Sequence, residues 1–412
     1  MTSKMGFTEP KGDEPAGYHR FRRAKSAYRI YMEEEGIPVF DGAGCRDTRE
    51  LPLGEWKRLG ARGTFLFLDG IGEKKGMYLL QVPSGGAVLP EKHMYDEFFF
   101  VVEGRGSTEI WSEDEAKRHA FEWQPGTLFM VPINAWHRFV NASSSPGLLL
   151  CANNAPTAMN TYQSRNFIFN CGYSFKERFD GSDDFFKAKD EVEAEGVRGR
   201  AAIKSNVFAD VVNCRLPLDN QRAPGGRRIQ PYYHGFLPEP GLGGFVYEYP
   251  TGRYSKAHFH SSGAVLVCLR GKGFSFNWRR ELGPNPWADG KGELVNVTEY
   301  IPGGLVSAAP GGGDWFHQHF GIAKEPLRVL NFWGGPTPSV SDRQEGDTVV
   351  AGNIYGMNEG GHTILYPQED PYVREHYKAR LAQEGAEFGM PDYVYDPDYR
   401  PSAERPLVVQ GP

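Results

Sequence analysis

The chain has 412 residues, of which 40% are hydrophobic and 13% aromatic, so it is long enough for two domains with separate cores. Its net charge of −6, without a long run of lysine or arginine, argues against nucleic acid or an anionic membrane as a partner. The sequence shows no signal-peptide core, no long apolar run and no CxxC cysteine pair, which together predict a cytoplasmic protein with reduced thiols.

The predicted elements begin with a helix over residues 17–36, where apolar residues recur at helical spacing before a glycine. Short aromatic and β-branched runs bounded by glycine, proline or asparagine then predict strands, for example at 98–102, 127–132, 264–269 and 327–333. Two further helices are expected at 183–196, between the domains, and at 370–385. An extended tail follows the last helix. The pattern predicts an all-β fold with a few peripheral helices.

The stretch PEKHMYDEFFFVVEGRGSTEIW, residues 90–111, contains the first candidate ligands. Glu91, His93 and Glu97 are separated by even numbers of residues, so they share one face if this stretch is a strand. A later predicted strand contributes His137. Two carboxylates and two imidazoles on one barrel wall predict a second metal site, with a degenerate site that keeps only a hydrogen-bond network as the alternative.

The stretch AHFHSSGAVLVCLRGKGFSFNW, residues 257–278, repeats the first one at an offset of 167 residues, which relates His93 to His260 and Gly104 to Gly271. A tandem duplication is the simplest explanation. It predicts an N-terminal domain over residues 1–180, with a helical extension, and a C-terminal domain over residues 181–412, with the inter-domain helix and the tail.

The second copy carries a different set of ligands. His258 and His260 are expected on one strand face, and His317 follows at the position equivalent to His137. His258 replaces Glu91, and Ala264 replaces Glu97. Three imidazoles on one side of an ion leave the opposite side open, as a catalytic site requires, so this copy is the predicted principal metal site.

Both motifs resemble the pattern of the cupin superfamily. His93-x3-Glu97-x6-Gly104 and Gly126-x5-Pro132-x4-His137 fit that pattern, as do His258-x-His260, Gly271, Gly304-x5-Pro310 and His317. The resemblance covers most of residues 60–160 and 240–340. It implies two tandem double-stranded β-helix, or jelly-roll, barrels, which is the arrangement of a bicupin.

The second copy further resembles gentisate-type three-histidine dioxygenases, because it lacks the glutamate that four-ligand cupins keep. That resemblance implies a non-haem Fe(II) oxidoreductase that uses dioxygen to cleave a ring or another C–C bond of a small oxygenated acid. Mn, Ni and Zn are alternative metals. Two alternatives stay open: a redox-neutral metal-dependent lyase, decarboxylase or isomerase, and a non-catalytic ligand-binding bicupin.

Several residues near the second motif are candidates for supporting roles. His319 is a candidate for proton transfer, and Trp315 with Phe316 could line a substrate pocket. Three arginines that could clamp an anionic substrate are Arg253, Arg270 and Arg328. The expected partners are a small anionic molecule, dioxygen and further copies of the chain in a homo-oligomer.

Overall fold

The computed structural model describes residues 24–113, 117–189, 201–232, 243–260, 263–308, 310, 315–333, 343–345, 348–350 and 356–398. Within these ranges the chain forms two β-barrels and four α-helices, which confirms the predicted all-β architecture. The helices are α1 (Ala27–Glu35), α2 (Ala155–Tyr162), α3 (Arg165–Asn170) and α4 (Pro371–Gln383).

The strands are short and most are strongly apolar. Those before residue 200 are β1 (Val39–Gly42), β2 (Gly44–Cys45), β3 (Gly54–Trp56), β4 (Ala61–Leu68), β5 (Gly76–Val82), β6 (Gly86–Ala87), β7 (Glu97–Glu103), β8 (Gly106–Trp111), β9 (His119–Trp123), β10 (Leu128–Val131), β11 (Trp136–Asn141) and β12 (Gly147–Asn153). Those after it are β13 (Ala202–Lys204), β14 (Val207–Phe208), β15 (Arg227–Tyr232), β16 (Gly243–Tyr249), β17 (Ala257–His258), β18 (Ala264–Arg270), β19 (Gly273–Arg279), β20 (Asn296–Tyr300), β21 (Leu305–Ala308), β22 (Trp315–Gly321), β23 (Leu327–Trp333), β24 (Arg343–Glu345), β25 (Thr348–Val350) and β26 (Thr363–Ile364).

Each barrel consists of a larger and a smaller sheet. In the N-terminal barrel the larger sheet has the order β1-β4-β5-β12-β7-β10-β14, with β3 paired to β4, and the smaller has β6-β11-β8-β9. In the C-terminal barrel the corresponding orders are β13-β15-β16-β23-β18-β21-β2 and β20-β19-β22-β17-β26. Strand β2, from the N-terminal part of the chain, pairs with β21 of the C-terminal barrel, and β14, from the C-terminal part, pairs with β10 of the N-terminal barrel. Each part of the chain therefore adds one strand to the larger sheet of the other barrel.

The apolar runs are explained by burial on both faces of the larger sheets. Along β5, Tyr78 and Leu80 point into the N-terminal barrel, whereas Met77 and Leu79 belong to a cluster that includes Val265 and other residues of the C-terminal barrel. Alternate side chains therefore line a barrel or pack between the barrels, and neither face is left for polar residues.

The repeated glycines mark equivalent turns. Gly104, between β7 and β8, has φ 83°, and Gly271, between β18 and β19, has φ 79°. A Cβ atom on Gly104 would lie 2.6 Å from the Cα of Gly147, and one on Gly271 would lie 2.5 Å from the carbonyl oxygen of Pro326. Both the left-handed backbone and the close approach require glycine, so the same turn is built in both copies.

The helices differ in part from the prediction. The helix predicted over 17–36 is α1 and begins only at Ala27, with the Ser26 hydroxyl accepting a hydrogen bond from the Arg29 backbone, while residues 17–23 lie outside the described residues. The helix predicted over 183–196 is wrong in its first part, because residues 183–186 form a turn and residues 187–189 have no regular secondary structure; residues 190–196 are not described. The third predicted helix is confirmed as α4, and α2 and α3 were not predicted. No helix in the described part of the chain is long and apolar enough to cross a membrane.

Candidate metal centres

The three predicted histidines of the C-terminal barrel lie together. His258, at the end of β17, pairs directly with His317 of β22, and His260 follows two residues later. One ring nitrogen of each lies within 4.8 Å of those of the other two. The expected strand through both histidines is wrong, because β17 ends at His258 and His260 lies outside it, yet the two histidines still converge with His317.

The ring nitrogens of His258 have separate partners. The backbone carbonyl of Lys256 can only accept, so Nδ1 of His258, 3.1 Å away, carries the proton and Nε2 keeps its lone pair. Burial, reinforced by neighbouring cationic groups, holds the pKa of His258 well below its usual range, and the same causes act on the pKa of His317. Both side chains are therefore neutral imidazoles, the form that binds a metal ion.

An arginine that the sequence did not single out contacts this cluster. Nη1 of Arg222 lies 2.7 Å from Nε2 of His258, and because a guanidinium can only donate, the imidazole nitrogen accepts. The guanidinium carbons of Arg222 and Arg228 lie 5.1 and 4.4 Å from the ring centroid of Phe245, and Lys256 is also buried. Arg222 thus places a fixed positive charge at the C-terminal site, which suits an anion.

The three arginines proposed from the sequence lie elsewhere, which corrects that expectation. Arg270 and Arg328 both pair with Glu248, at 2.8 and 2.7 Å, on the outer side of the barrel wall. Arg253 donates to the backbone carbonyls of Gly389 and Pro224. No motif marks Arg222, which precedes His258 by 36 residues, so its place at the site depends on the folded chain.

Trp315 and His319 lie two residues before and two residues after His317 along β22, so all three side chains face the same side of the strand. His319 is buried, and the Tyr300 hydroxyl lies 2.8 Å from its Nδ1. Burial, together with the charge of Arg222, lowers the pKa of His319 to about 3. Trp315 is half-buried at the start of the strand. Phe316 points the opposite way into the core cluster outside the barrel, so the prediction that it lines the pocket is wrong.

The N-terminal barrel brings together the other predicted set. Glu91, His93 and His137 each place one ligand atom within 4.8 Å of the others. Glu97 joins them, with its Oε2 3.0 Å from Nε2 of His93 and 3.9 Å from Nε2 of His137. Nε2 of His137 is buried and has no hydrogen-bond partner among the described residues. All four sequence-predicted residues therefore converge on one point.

The outward-facing atoms of these ligands are held by neighbouring groups. Nδ1 of His93 and Nδ1 of His137 lie 2.9 and 3.2 Å from backbone carbonyls. Oε1 of Glu97 accepts from the Tyr78 hydroxyl at 2.8 Å, and the outer oxygen of Glu91 accepts from Arg58. Such supporting contacts orient ligands at metal sites, so this donor set fits a divalent ion.

The charges of the N-terminal site are strongly coupled. Burial would raise the pKa of Glu97, but the ion pair with His93 outweighs it and lowers the pKa to about 2. Burial likewise opposes the charge on His93, and Glu97 outweighs it and raises the pKa of that imidazole. Because Ala264 starts β18 as Glu97 starts β7, the C-terminal site has no matching carboxylate and keeps a higher positive charge.

Part of the chain matches a known protein family, and most of the chain is similar to solved structures. Residues 78–153 match the cupin domain family. A search of curated proteins finds no match. Among solved structures, the oxalate decarboxylase of Lactobacillus farciminis in complex with formate is similar at 12% identity and a TM-score of 0.42, over 71% of this chain and 86% of that one. A deletion mutant of Bacillus subtilis oxalate decarboxylase is similar at 12% identity and a TM-score of 0.43, over 70% of this chain and 76% of that one. Residues 78–153 therefore carry a cupin domain, and the two barrels of the described residues agree with the bicupin arrangement that the duplicated motif implies.

Proposed function

We propose that this bicupin is a metal-dependent enzyme that acts on a small anionic substrate in the C-terminal barrel. The observation that carries the proposal is the cluster of His258, His260 and His317, whose ligating atoms converge beside the guanidinium of Arg222. A donor set that leaves an ion accessible and a fixed cation next to it provide two attachment points for a negatively charged molecule.

The two barrels suit different ions in this proposal. The three imidazoles of the C-terminal site suit Fe(II), Ni or Zn, whereas the two carboxylates of the N-terminal site favour a harder ion such as Mn. Glu91 and Glu97 would neutralise most of the charge of an ion bound there. The N-terminal site is therefore proposed as a second metal site, and the C-terminal site as the place of reaction.

Redox-neutral chemistry is the function that the site supports best. When bound, a divalent ion supplies a Lewis acid that polarises a carbonyl or carboxylate oxygen. Arg222 adds a second positive charge at the same place, which stabilises negative charge that develops on a substrate as a C–C or C–H bond breaks. The positive charge of Arg222 also opposes oxidation of a metal ion bound beside it, which disfavours the reduction of dioxygen at this site. A lyase, decarboxylase or isomerase fits both effects.

The chain's own residues have distinct roles in this scheme. Arg222 binds and orients the anionic end of the substrate through its parallel N–H groups. His319, whose Nδ1 lies 2.8 Å from the Tyr300 hydroxyl, holds or moves a proton at its other ring nitrogen, Nε2. Trp315, half-buried at the start of β22, shields the substrate from water.

An Fe(II) dioxygenase is the second candidate. It is favoured by Ala264, which is 2% exposed and leaves the three-histidine site without a carboxylate ligand. Both candidates require the histidine cluster, so they are separated by the need for dioxygen rather than by loss of a ligand.

The test is substrate consumption under argon and in air by protein loaded separately with Fe(II) and Mn(II), across a panel of small hydroxy, keto and aromatic acids. We expect turnover that is the same in both atmospheres and is lost in His317→Ala. The matched control is His376→Ala, on α4, which removes a histidine away from the site. Consumption of dioxygen in step with the acid would replace the leading candidate by the dioxygenase. Binding of one of the acids without any turnover would support a non-catalytic ligand-binding protein instead.

A further inference from the structure

Arg222 occupies a fixed place in the C-terminal barrel. Its carbonyl oxygen accepts a hydrogen bond from the Lys256 backbone at 3.1 Å, two residues before His258. The next residue, Ala223, donates its N–H to the hydroxyl of Tyr247 at 3.2 Å. The backbone is thus tied to the strand that leads into the histidine cluster, and only the side chain is free to change its contacts.

The side chain of Arg222 and a metal ion need the same atom. Nδ1 of His258 is protonated against a carbonyl, so the lone pair on Nε2 is the only one available for a metal ion, and Nη1 of Arg222 donates to it. One lone pair serves either the guanidinium or the ion. A guanidinium does not lose its proton at any relevant pH, so the contact is broken only when the side chain moves.

The N-terminal barrel provides an internal contrast. There Arg58 donates to the outer oxygen of Glu91, whose other oxygen faces His137 at 3.9 Å. The arginine and an ion would bind different atoms of the same carboxylate, so they do not compete. An arginine thus contacts the first residue of the ligand motif in both barrels, but only Arg222 contacts the ligating atom itself.

A displaced Arg222 needs a new acceptor. Its Nε is buried and has no hydrogen-bond partner among the described residues. The nearby charged groups are the buried cations Arg228 and Lys256 and the carboxylate of Asp219, whose charge acts on Lys256. An ion at the histidines adds further positive charge beside Arg222. An anion that contacts both the ion and the guanidinium would satisfy the donors and relieve the repulsion.

We propose that Arg222 couples the two ligands of the C-terminal barrel: it opposes metal binding when no anion is present and favours it when a carboxylate is bound. The inference rests on the proposed function and adds a regulation of the same site. By reciprocity, the metal strengthens anion binding by the same factor. Metal without substrate is then held weakly, and the reactive pair of ion and anion assembles together.

The test uses the full chain, stripped of metal and titrated with Co(II), whose visible absorption reports binding, without and with formate as the carboxylate probe. In the wild type, formate should strengthen Co(II) binding by about tenfold, within the usual range of such couplings. Arg222→Gln should bind Co(II) more tightly than the wild type without formate and should respond little to formate. Arg222→Lys, which keeps the charge but not the forked donors, should show an intermediate response and guards against misfolding of the glutamine variant.

The matched control is Arg227→Gln, which removes an exposed arginine five residues along the chain and should behave as the wild type. The N-terminal site contributes equally in all four proteins, so differences between them report the C-terminal barrel. Equal affinity and equal formate response in Arg222→Gln and the wild type would overturn the inference alone. If His258→Ala binds as much Co(II) as the wild type, the metal centre itself is wrong and the proposed function fails with it.

Discussion

Replacement of Glu97 by glutamine should strongly destabilise the N-terminal barrel in the absence of metal. Glu97 and His93 are each 1% exposed, with 3.0 Å between Oε2 and Nε2. Removal of one partner of a buried ion pair costs about 3–5 kcal/mol, because the other charge stays buried without compensation. The lowering of the Glu97 pKa from 4.5 to about 2 gives roughly 3 kcal/mol by linkage, which agrees.

The pH dependence follows from the direction of the shift. Because the folded-state pKa of Glu97 is depressed, its contribution is fully present above the unfolded pKa near 4.5 and disappears as the pH falls through about 2. The free energy of unfolding of Glu97→Gln should therefore differ most from the wild type at neutral pH, and the difference should narrow below about pH 4.5.

The assay is urea denaturation in the presence of a chelator, followed by near-ultraviolet circular dichroism. Glu103→Gln is the matched control, because Glu103 lies at the exposed end of the same strand and should change the free energy of unfolding by less than about 0.5 kcal/mol. A loss below about 1 kcal/mol in Glu97→Gln, or one as large in Glu103→Gln, would refute the reasoning that Glu97 is a buried, charged partner of His93.

Three further variants test other parts of the account. Ala264→Glu, which restores the carboxylate missing from the C-terminal site, should lower the free energy of unfolding by about 1–3 kcal/mol in chelator, and added Mn(II) should restore it, as measured by urea denaturation. An equal loss of stability in both conditions would contradict the placement of Ala264 at the site. Because the pKa of His319 is lowered, the wild type should lose stability as the pH falls from about 6.5 to about 4. His319→Gln should reduce the slope of the free energy of unfolding against pH in that range by roughly 1.4 kcal/mol per pH unit. An unchanged slope would contradict the burial of a neutral His319. Arg328→Met, which leaves Glu248 buried, should cost about 3–5 kcal/mol, and Arg270→Met, on the same carboxylate but half-buried, less than about 1 kcal/mol; comparable losses would contradict the difference in burial.

The repeat made the architecture predictable. A fixed offset between two motifs predicts two equivalent units, and the turns at Gly104 and Gly271 require the same residue for the same backbone reason. Strand runs were recognisable because the larger sheets are buried on both faces. The pairing of β2 with β21 was not predictable, because two residues carry no periodic signal and their partner lies far away in the sequence, in the other barrel.

The ligand sets were predictable for a similar reason, since strand alternation and repeat alignment relate His258 and His260 to one another and to the first copy. The charged residues around them were not. Arg58 and Arg222 lie outside both motifs, in segments whose path depends on contacts with the finished barrels. Positive charge near a motif in the sequence is also a misleading guide, because Arg328 follows the second motif but pairs with Glu248 instead of contacting the histidines.

The central claim is that the histidines of the C-terminal barrel hold a metal ion, and metal content measured by elemental analysis tests it most directly. With formate present throughout, we expect about one ion per barrel in the wild type, loss of the ion from the C-terminal barrel alone in His260→Ala, and loss from the N-terminal barrel alone in His93→Ala. Metal content in His260→Ala equal to that of the wild type under these conditions would contradict the account.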